Sequence, residues 1–368
     1  MIADLTLERI DWQVYRLPLR APFRTAHALL TERQGAIVRV TSRHGSLNGY
    51  GELAPLPPFS PPLSHTLAAL PELVRRLEGL PLAAALALLD EAQQQAEQPW
   101  PAPVMFALEV ALLDLQARAR GESLLSPYAR QAVPVNAVIG AAAPEETAHA
   151  ARQAVAAGFR CLKLKLSGDE QQDSARLAAV RSSVGDAIAL RLDANASWNF
   201  AQAERLLRAW ASYAIEYVEQ PLAATDLEGL RQLRRRSPIP IAADESLSSL
   251  ESARQIMDLE AADVLILKPQ FLGGLRTALR LVEEASARGV GCVITSALEA
   301  GIGVCAALHL AAAHPALTQA AGLGTLTLLT SDLLSKPLTL EAGLLQVPVG
   351  PGLGVSPDQA ALAHYSVL

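Results

Sequence analysis

Cys161-Leu162-Lys163-Leu164-Lys165-Leu166 alternates apolar and charged residues without a break. Alternation at period two marks a strand with one packed face and one polar face. Both polar residues are lysines. Two positions apart on a strand they project from the same face, roughly 6–7 Å between Cα atoms. Ammonium groups that close lower each other's proton affinity, and partial burial lowers it further. A lysine so placed can serve as a base near neutral pH. The same pattern also fits an exposed edge strand that carries lysines against aggregation. Residues further along the chain separate the two.

From Pro134 onward, strands and helices alternate with a short period. The strand candidates are 135–139, 161–166, 187–193, 215–219, 239–244, 264–268, 292–295 and a weak one at 319–322. Helical stretches such as 145–157, 202–210 and 276–288 lie between them, and Gly158 and Gly289 stand where helices end. Eight strands alternating with helices point to an α/β fold with a parallel barrel. A doubly wound sheet would want a glycine-rich first turn, and Gly140 is followed by three alanines.

The preceding residues, 1–132, read as an α+β domain. Strands at 10–17, 35–40 and 48–52 lead into a proline-rich loop, Gly51-Glu-Leu-Ala-Pro-Leu-Pro-Pro-Phe-Ser60, too rich in proline to continue a ladder. Helices follow at 64–77, 81–95 and 104–120, the last opened by Pro103 and followed by Gly121. Glu109 and Asp114 fall inside that helix and read as caps or ion pairs for neighbouring loops. A strand at 340–347 is expected to return to this domain, giving a division into 1–132 with 333–368, and 133–332.

Bulk properties exclude several classes. The 368 residues are 51% apolar with a net charge of -6, which supports a sizeable core and argues against nucleic acid as a partner. Arg234-Arg235-Arg236, the one basic triple, fits the end of a solvated helix. No signal peptide and no membrane span are legible, and Cys161, Cys292 and Cys305 read as reduced core thiols, so a cytoplasmic protein is expected. There is no HExxH zinc pattern, no GxSxG elbow and no GxxxxGK[ST] phosphate loop.

A charged residue closes each of five consecutive barrel strands. Asp193 lies 28 residues after Lys165, Glu219 26 further on, Asp244 another 25 and Lys268 another 24. Each step is one strand, one helix and two loops, so the five groups meet at the face where barrel enzymes do chemistry. Uncompensated buried charges are costly, so packing alone does not explain them. Asp193, Glu219 and Asp244 form a carboxylate trio suited to octahedral Mg²⁺. Lys165 and Lys268 flank the trio, each able to give or take a proton beside a carboxylate held there. A lysine base with Mg²⁺ favouring an enediolate is the pattern of the enolase superfamily.

Lys163-x-Lys165, Asp193, Glu219, Asp244 and Lys268-Pro-x-x-x-Gly273-Gly274 together resemble the muconate-lactonizing subgroup of that superfamily, over nearly the whole chain. The resemblance implies an α+β capping domain over a (β/α)7β TIM-type barrel, Mg²⁺ as cofactor with Mn²⁺ as a substitute, and abstraction of a proton α to a carboxylate. Within the subgroup, the loop 51–60, Arg191, Thr295-Ser-Ala-Leu-Glu299 and Ala321-Gly-Leu-Gly-Thr325 are similar to o-succinylbenzoate synthases. Dipeptide epimerases usually carry Asp-x-Asp at the eighth strand, where this chain has Gly322-Leu-Gly324. Two positions depart from the synthase pattern: Pro58 stands where Gly is frequent, and Ala300 where Ser is.

The implied reaction is syn dehydration of 2-succinyl-6-hydroxy-2,4-cyclohexadiene-1-carboxylate (SHCHC) to o-succinylbenzoate, a step toward menaquinone or phylloquinone. Lys165 would take the α-proton and return it to the leaving hydroxyl, while Lys268 stays protonated. Lys163 would tune Lys165 or touch the carboxylate, and Arg191, on the strand face of Asp193, would hold a substrate carboxylate. Asn195 and Glu245 would stand behind the metal ligands. Ser296 and Glu299 would line the pocket or, equally, close the strand end by hydrogen bonding. Competing readings are an N-acylamino acid racemase, a dipeptide epimerase, a cycloisomerase, and a barrel scaffold without catalysis. The expected partner is a small-molecule carboxylate, with no nucleic acid or membrane; a homo-oligomer is left open.

Overall fold

Val264-Leu-Ile-Leu267 contains no polar residue and forms a strand buried on both faces. Such strands belong to parallel sheets covered by helices. The computed structural model describes residues 5–24, 29–43, 47–57, 59–94 and 100–367. Its N-terminal part is a three-stranded antiparallel sheet, β1 (Leu7–Arg24), β2 (Leu29–Ser42) and β3 (Asn48–Leu53), followed by helices α1 (Leu63–Leu77), α2 (Leu82–Gln94) and α3 (Ala102–Arg120). The β1–β2 ribbon runs well beyond 10–17 and 35–40, past Pro18. Proline is tolerated there because β1 is an edge strand, which leaves its missing N–H unneeded. Helix α3 is buried along most of its length against β3, where a Cβ on Gly51 would strike the carbonyl of Ala107.

The second part opens with β4 (Ala132–Pro134) and then alternates: β5 (Ala137–Ile139), α4 (Pro144–Ala156), β6 (Cys161–Lys165), α5 (Glu170–Val184), β7 (Ala189–Asp193) and α6 (Phe200–Ala209). It continues with β8 (Ile215–Glu219), α7 (Leu227–Arg236), β9 (Ile241–Ala243), α8 (Leu250–Asp258) and β10 (Val264–Leu267). The short α9 (Pro269–Leu272), α10 (Leu275–Ala287), β11 (Gly291–Ile294) and α11 (Gly301–Ala313) follow. Strands β5 to β11 pair in parallel, in chain order. Lys165 is in register with Asp193 and Asp193 with Glu219, so their side chains leave the sheet at one level.

Residues 319–322 form isolated bridges rather than the expected strand. Ala321 pairs with Val135 and Gly322 with Thr295, so this segment touches both edge regions of the seven-stranded sheet. A Cβ on Gly322 would collide with the Thr295 side chain, which explains the close approach. The stretch 340–347 is also not one strand. It is a hairpin, β12 (Leu340–Glu341) and β13 (Leu344–Gln346), turned by Ala342-Gly343 with positive φ at both residues, and it pairs with β4 instead of the first sheet. The chain returns to the N-terminal part later, through α12 (Gln359–Tyr365): Gln13 Nε2 donates to Leu362 O at 3.2 Å and Val367 N to Val14 O at 3.1 Å.

Buried polar groups join the two parts. Glu52 Oε1 accepts from Tyr15 Oη at 2.5 Å and Ala300 N at 2.7 Å, and its Oε2 from Gly303 N at 2.8 Å, at the N-terminus of α11. Arg33 donates to four carbonyls: Leu298 from Nε at 3.0 Å, Pro55 from Nη1 at 3.1 Å, and Ala54 and Ala297 from Nη2 at 2.9 and 3.2 Å. Glu109 caps α10 through Leu275 N at 2.5 Å and pairs with Arg276, while Asp114 accepts from Tyr50 N at 2.9 Å and Leu353 N at 2.7 Å. Both acidic residues of α3 thus act as caps and ion-pair partners. The arginine triple ends α7, and all three cysteines are buried and free.

Candidate active site

A cavity opens at the C-terminal ends of the parallel strands. Lys163, Lys165, Asp193, Asn195, Glu219, Asp244 and Lys268 supply its charged and amide groups. Asn136, Val138, Thr295, Ser296 and Thr325 also line it, Val138 beside Lys163 on the neighbouring strand, together with Leu56 and Phe59 of the proline-rich loop. Position 58 lies outside the described residues.

Each carboxylate is buried and paired with lysine. Lys163 Nζ lies 2.6 Å from Glu219 Oε1 and 2.9 Å from Asp193 Oδ2. Lys165 Nζ lies 2.5 Å from Asp193 Oδ2 and 3.1 Å from Asn195 Oδ1, and Lys268 pairs with Asp244. The Lys268 ammonium also sits 4.7 Å from the centre of the Phe59 ring, itself stacked on Phe271. Burial alone would lower the proton affinity of Lys163, but Asp193 and Glu219 outweigh it and hold Lys163 well above the usual lysine value. The mutual depression expected of the two lysines therefore fails for Lys163, because the carboxylates are its immediate partners. Burial raises Asp193, yet Lys163 and Lys165 hold it below the usual carboxylate range. Glu219 is pushed up to about 8 by burial and by Asp193.

Local geometry fixes these groups. Asn195 takes φ 45° in the turn after β7, and its backbone N donates to Asp193 Oδ1 at 3.1 Å. Asparagine tolerates this left-handed region better than most residues. Gln220, with φ 37°, accepts from Asp244 N at 3.0 Å and Ser246 N at 3.1 Å through Oε1, and so ties the loop after β9 to the end of β8. Sequence reasoning passed over Gln220; its one signal was its place between Glu219 and Pro221 at a strand end. Glu245 Oε1 accepts from Asn195 Nδ2 at 3.1 Å, and burial with Asp244 pushes Glu245 up to about 7.

Arg191 sits elsewhere than expected, whereas Glu299 closes the strand end, one of the two places expected of it. Arg191 is fully buried and absent from the cavity lining. Its Nε donates to Glu216 Oε2 at 2.6 Å and its Nη1 to Ala320 O at 2.6 Å, over the Tyr217 ring. Its face matches that of Asp193, but it lies two residues deeper in the sheet, roughly 6–7 Å below the site. Glu299 is also buried away from the lining: Oε2 accepts from Ala297 N at 2.7 Å and Oε1 from Gln270 Nε2 at 3.3 Å, closing the loop after β11. Ser296 does line the cavity, with Oγ 2.7 Å from Thr325 Oγ1.

Among the described residues, no three His, Cys, Asp or Glu side chains stand close enough together to form a ready metal cage. The donor set nevertheless suits a hard divalent cation. Three carboxylates end adjacent strands, and Glu219 Oε2 is a buried oxygen without a hydrogen-bond partner. Among the described residues, no helix is long and apolar enough to cross a membrane.

A parallel TIM-type barrel under a capping domain, with lysines set around a carboxylate trio, defines the class. Residues 146–361 match the enolase C-terminal domain-like family, and the chain belongs to the enolase superfamily, in the subgroup of muconate cycloisomerases, o-succinylbenzoate synthases and dipeptide epimerases. It is 36% identical over 339 residues to the o-succinylbenzoate synthase of Thermobifida fusca, covering 91% of this chain and 86% of that one. It is 32% identical over 355 residues to the L-Ala-D/L-Glu epimerase of Bacillus subtilis, covering 94% and 96%. The muconate lactonizing enzyme of Pseudomonas fluorescens, solved with muconolactone, superposes with a TM-score of 0.91 at 27% identity, over 99% of this chain and 100% of that one.

Proposed function

We propose that this chain dehydrates SHCHC to o-succinylbenzoate, the lyase step of a menaquinone or phylloquinone pathway. The observation that carries the reading is the asymmetry of the two lysines. Among the described residues, Lys165 has Asp193 and Asn195 as hydrogen-bond partners, whereas Lys268 pairs with Asp244 and lies against the face of Phe59. A ring face attracts a cation, which suits a lysine that stays charged while the other works as the base. A racemase would need both lysines to exchange protons. Identity to the Thermobifida fusca synthase supports the same choice.

Asp193, Glu219 and Asp244 would hold Mg²⁺, with Mn²⁺ as a substitute, and the bound ion supplies positive charge beside the substrate carboxylate. Lys165 Nζ takes the α-proton and gives it to the hydroxyl, which leaves as water. Lys268 stays charged opposite, and Lys163 holds Asp193 and Glu219 in place from beneath. Leu56, Phe59 and Val138 offer an apolar wall to the ring, and Ser296, Thr325 and Asn136 offer neutral polar groups to its acyl arm. Among the described residues lining the cavity, no carboxylate beyond the trio is present to hold a substrate ammonium.

The seven parallel strands, with the bridges of Ala321 and Gly322 to both edge regions, support a (β/α)7β barrel over 133–332. Residues 1–132 are read as the cap, joined by the C-terminal segment through α12, while the 340–346 hairpin stays with β4. The deciding assay sets purified protein with SHCHC beside N-succinylamino acids. Dehydration in large excess is the expected result; rapid racemisation with negligible dehydration would overturn the reading in favour of an N-acylamino acid racemase.

A further inference from the structure

Glu245 is half-buried beside the carboxylate trio, and it is not among the residues lining the cavity. Its Oε2 has no hydrogen-bond partner among the described residues. Its Oε1 accepts from the Asn195 amide nitrogen at 3.1 Å, while the other end of that amide, Oδ1, accepts from Lys165 Nζ at 3.1 Å. The orientation of the amide follows from its neighbours, since the Lys165 ammonium can only donate to Oδ1 and Glu245 Oε1 accepts from Nδ2. The main chain fixes the position of Asn195, through its left-handed turn and its bond to Asp193 Oδ1, but leaves the amide free to turn over.

The flip matters when Lys165 is neutral. An amine nitrogen has two N–H bonds and one lone pair. Asp193 Oδ2 and Asn195 Oδ1 accept the two N–H bonds, so the lone pair is left for the substrate proton. With the amide reversed, Asn195 Nδ2 would donate into that lone pair and occupy the base. The reversed amide would also set Oδ1 against the Glu245 carboxylate, which disfavours it.

We propose that Glu245 is a positioning residue for Lys165, acting through the Asn195 amide and keeping the lysine lone pair turned to the substrate. This rests on the assignment of Lys165 as the base. The test compares wild type, E245M, E245Q, N195A and N195A/E245M at saturating Mg²⁺. E245M is expected to lower kcat about 10–100-fold, the usual cost of losing a residue that orients a catalytic group, with KM moving less than about threefold. E245Q can still accept from Asn195 and should recover kcat to within about fivefold of wild type. N195A/E245M should be no slower than N195A beyond about twofold, because the two residues act in series.

Several results would overturn the proposal: unchanged kcat in E245M, additive losses in the double variant, or a Mg²⁺ half-activation concentration shifted more than about tenfold, which would assign Glu245 to the metal. If E245M does not fold, N195D and N195D/E245Q decide. N195D sets two carboxylates face to face and should lose activity, and the glutamine, which can donate to the new aspartate, should restore at least about tenfold; no recovery overturns the proposal. A wild type that turns over no substrate of the subgroup would refute the base assignment itself. An active wild type matched by E245M refutes only the role of Glu245.

Discussion

Replacing Arg33 by lysine keeps a positive charge in the cap and removes the planar fork. Arg33 is 4% exposed, and its guanidinium serves four carbonyls, two in the cap loop and two in the loop after β11. An ammonium donates from a single nitrogen and cannot match acceptors spread around a guanidinium plane. At least two carbonyls would lose their donor. A buried polar group without a partner costs about 1–3 kcal/mol, and a carbonyl with a second lone pair falls at the lower end. Arg33→Lys should therefore destabilise by about 2–4 kcal/mol. Ala297 and Leu298 line the cavity, so KM should rise more than kcat falls. Urea unfolding followed by circular dichroism measures the first effect, and steady-state kinetics the second. A stability change below about 0.5 kcal/mol, the range of an ordinary surface substitution, would refute the view that this arginine holds the two loops together.

Lys165→Ala should reduce turnover by about 10³-fold or more while the circular dichroism spectrum stays native; activity within tenfold of wild type would remove Lys165 as the base. EDTA should abolish activity and added Mg²⁺ or Mn²⁺ restore it, and turnover in the chelated enzyme would refute a metal requirement. His309 is pushed down to about 4 by burial, with Tyr128 Oη on Nδ1 and Leu353 O on Nε2. Its unfolded value is about 6.5, so its stability contribution is complete above that pH and is lost as pH falls toward 4, to the extent of about 3 kcal/mol. Measured by thermal melts, the stability gap between wild type and His309→Gln should narrow by that order over the interval; a constant gap would show that His309 does not titrate on unfolding. A Cβ on Gly274 would collide with the Glu109 carboxylate that caps α10, so Gly274→Ala should cost about 1–3 kcal/mol by denaturation, and a neutral result would mean that Glu109 shifts freely.

Much of the working arrangement was legible because it is periodic. Lys163 and Lys165 alternate with leucines, and a charged residue recurs at the close of each following strand, so register alone aligns Lys165, Asp193 and Glu219. Depth was not legible. Arg191 shares the face of Asp193, and only the pairing with Glu216 and Ala320 reveals that it sits below the cavity. Distance along the chain hid the rest. Glu52 meets Ala300 and Gly303, and Arg33 meets Ala297 and Leu298, contacts set by the docking of two parts and by no local pattern. The hairpin at 340–347 escaped for a related reason: Ala342-Gly343 turns the chain, but an apolar stretch does not name its partner strand.

The join made by Arg33 and Glu52 bears on how such proteins could be recombined. A cap grafted from a relative would arrive at a barrel whose Ala297 and Leu298 carbonyls and Ala300 and Gly303 amides await a cation and an anion at fixed points. A chimera that exchanges residues 1–132 alone would bury these four groups bare unless the donor carries the same pair. The natural cut for shuffling specificity thus follows the hydrogen bonds, and places 297–303 with the cap although they lie in the barrel's sequence.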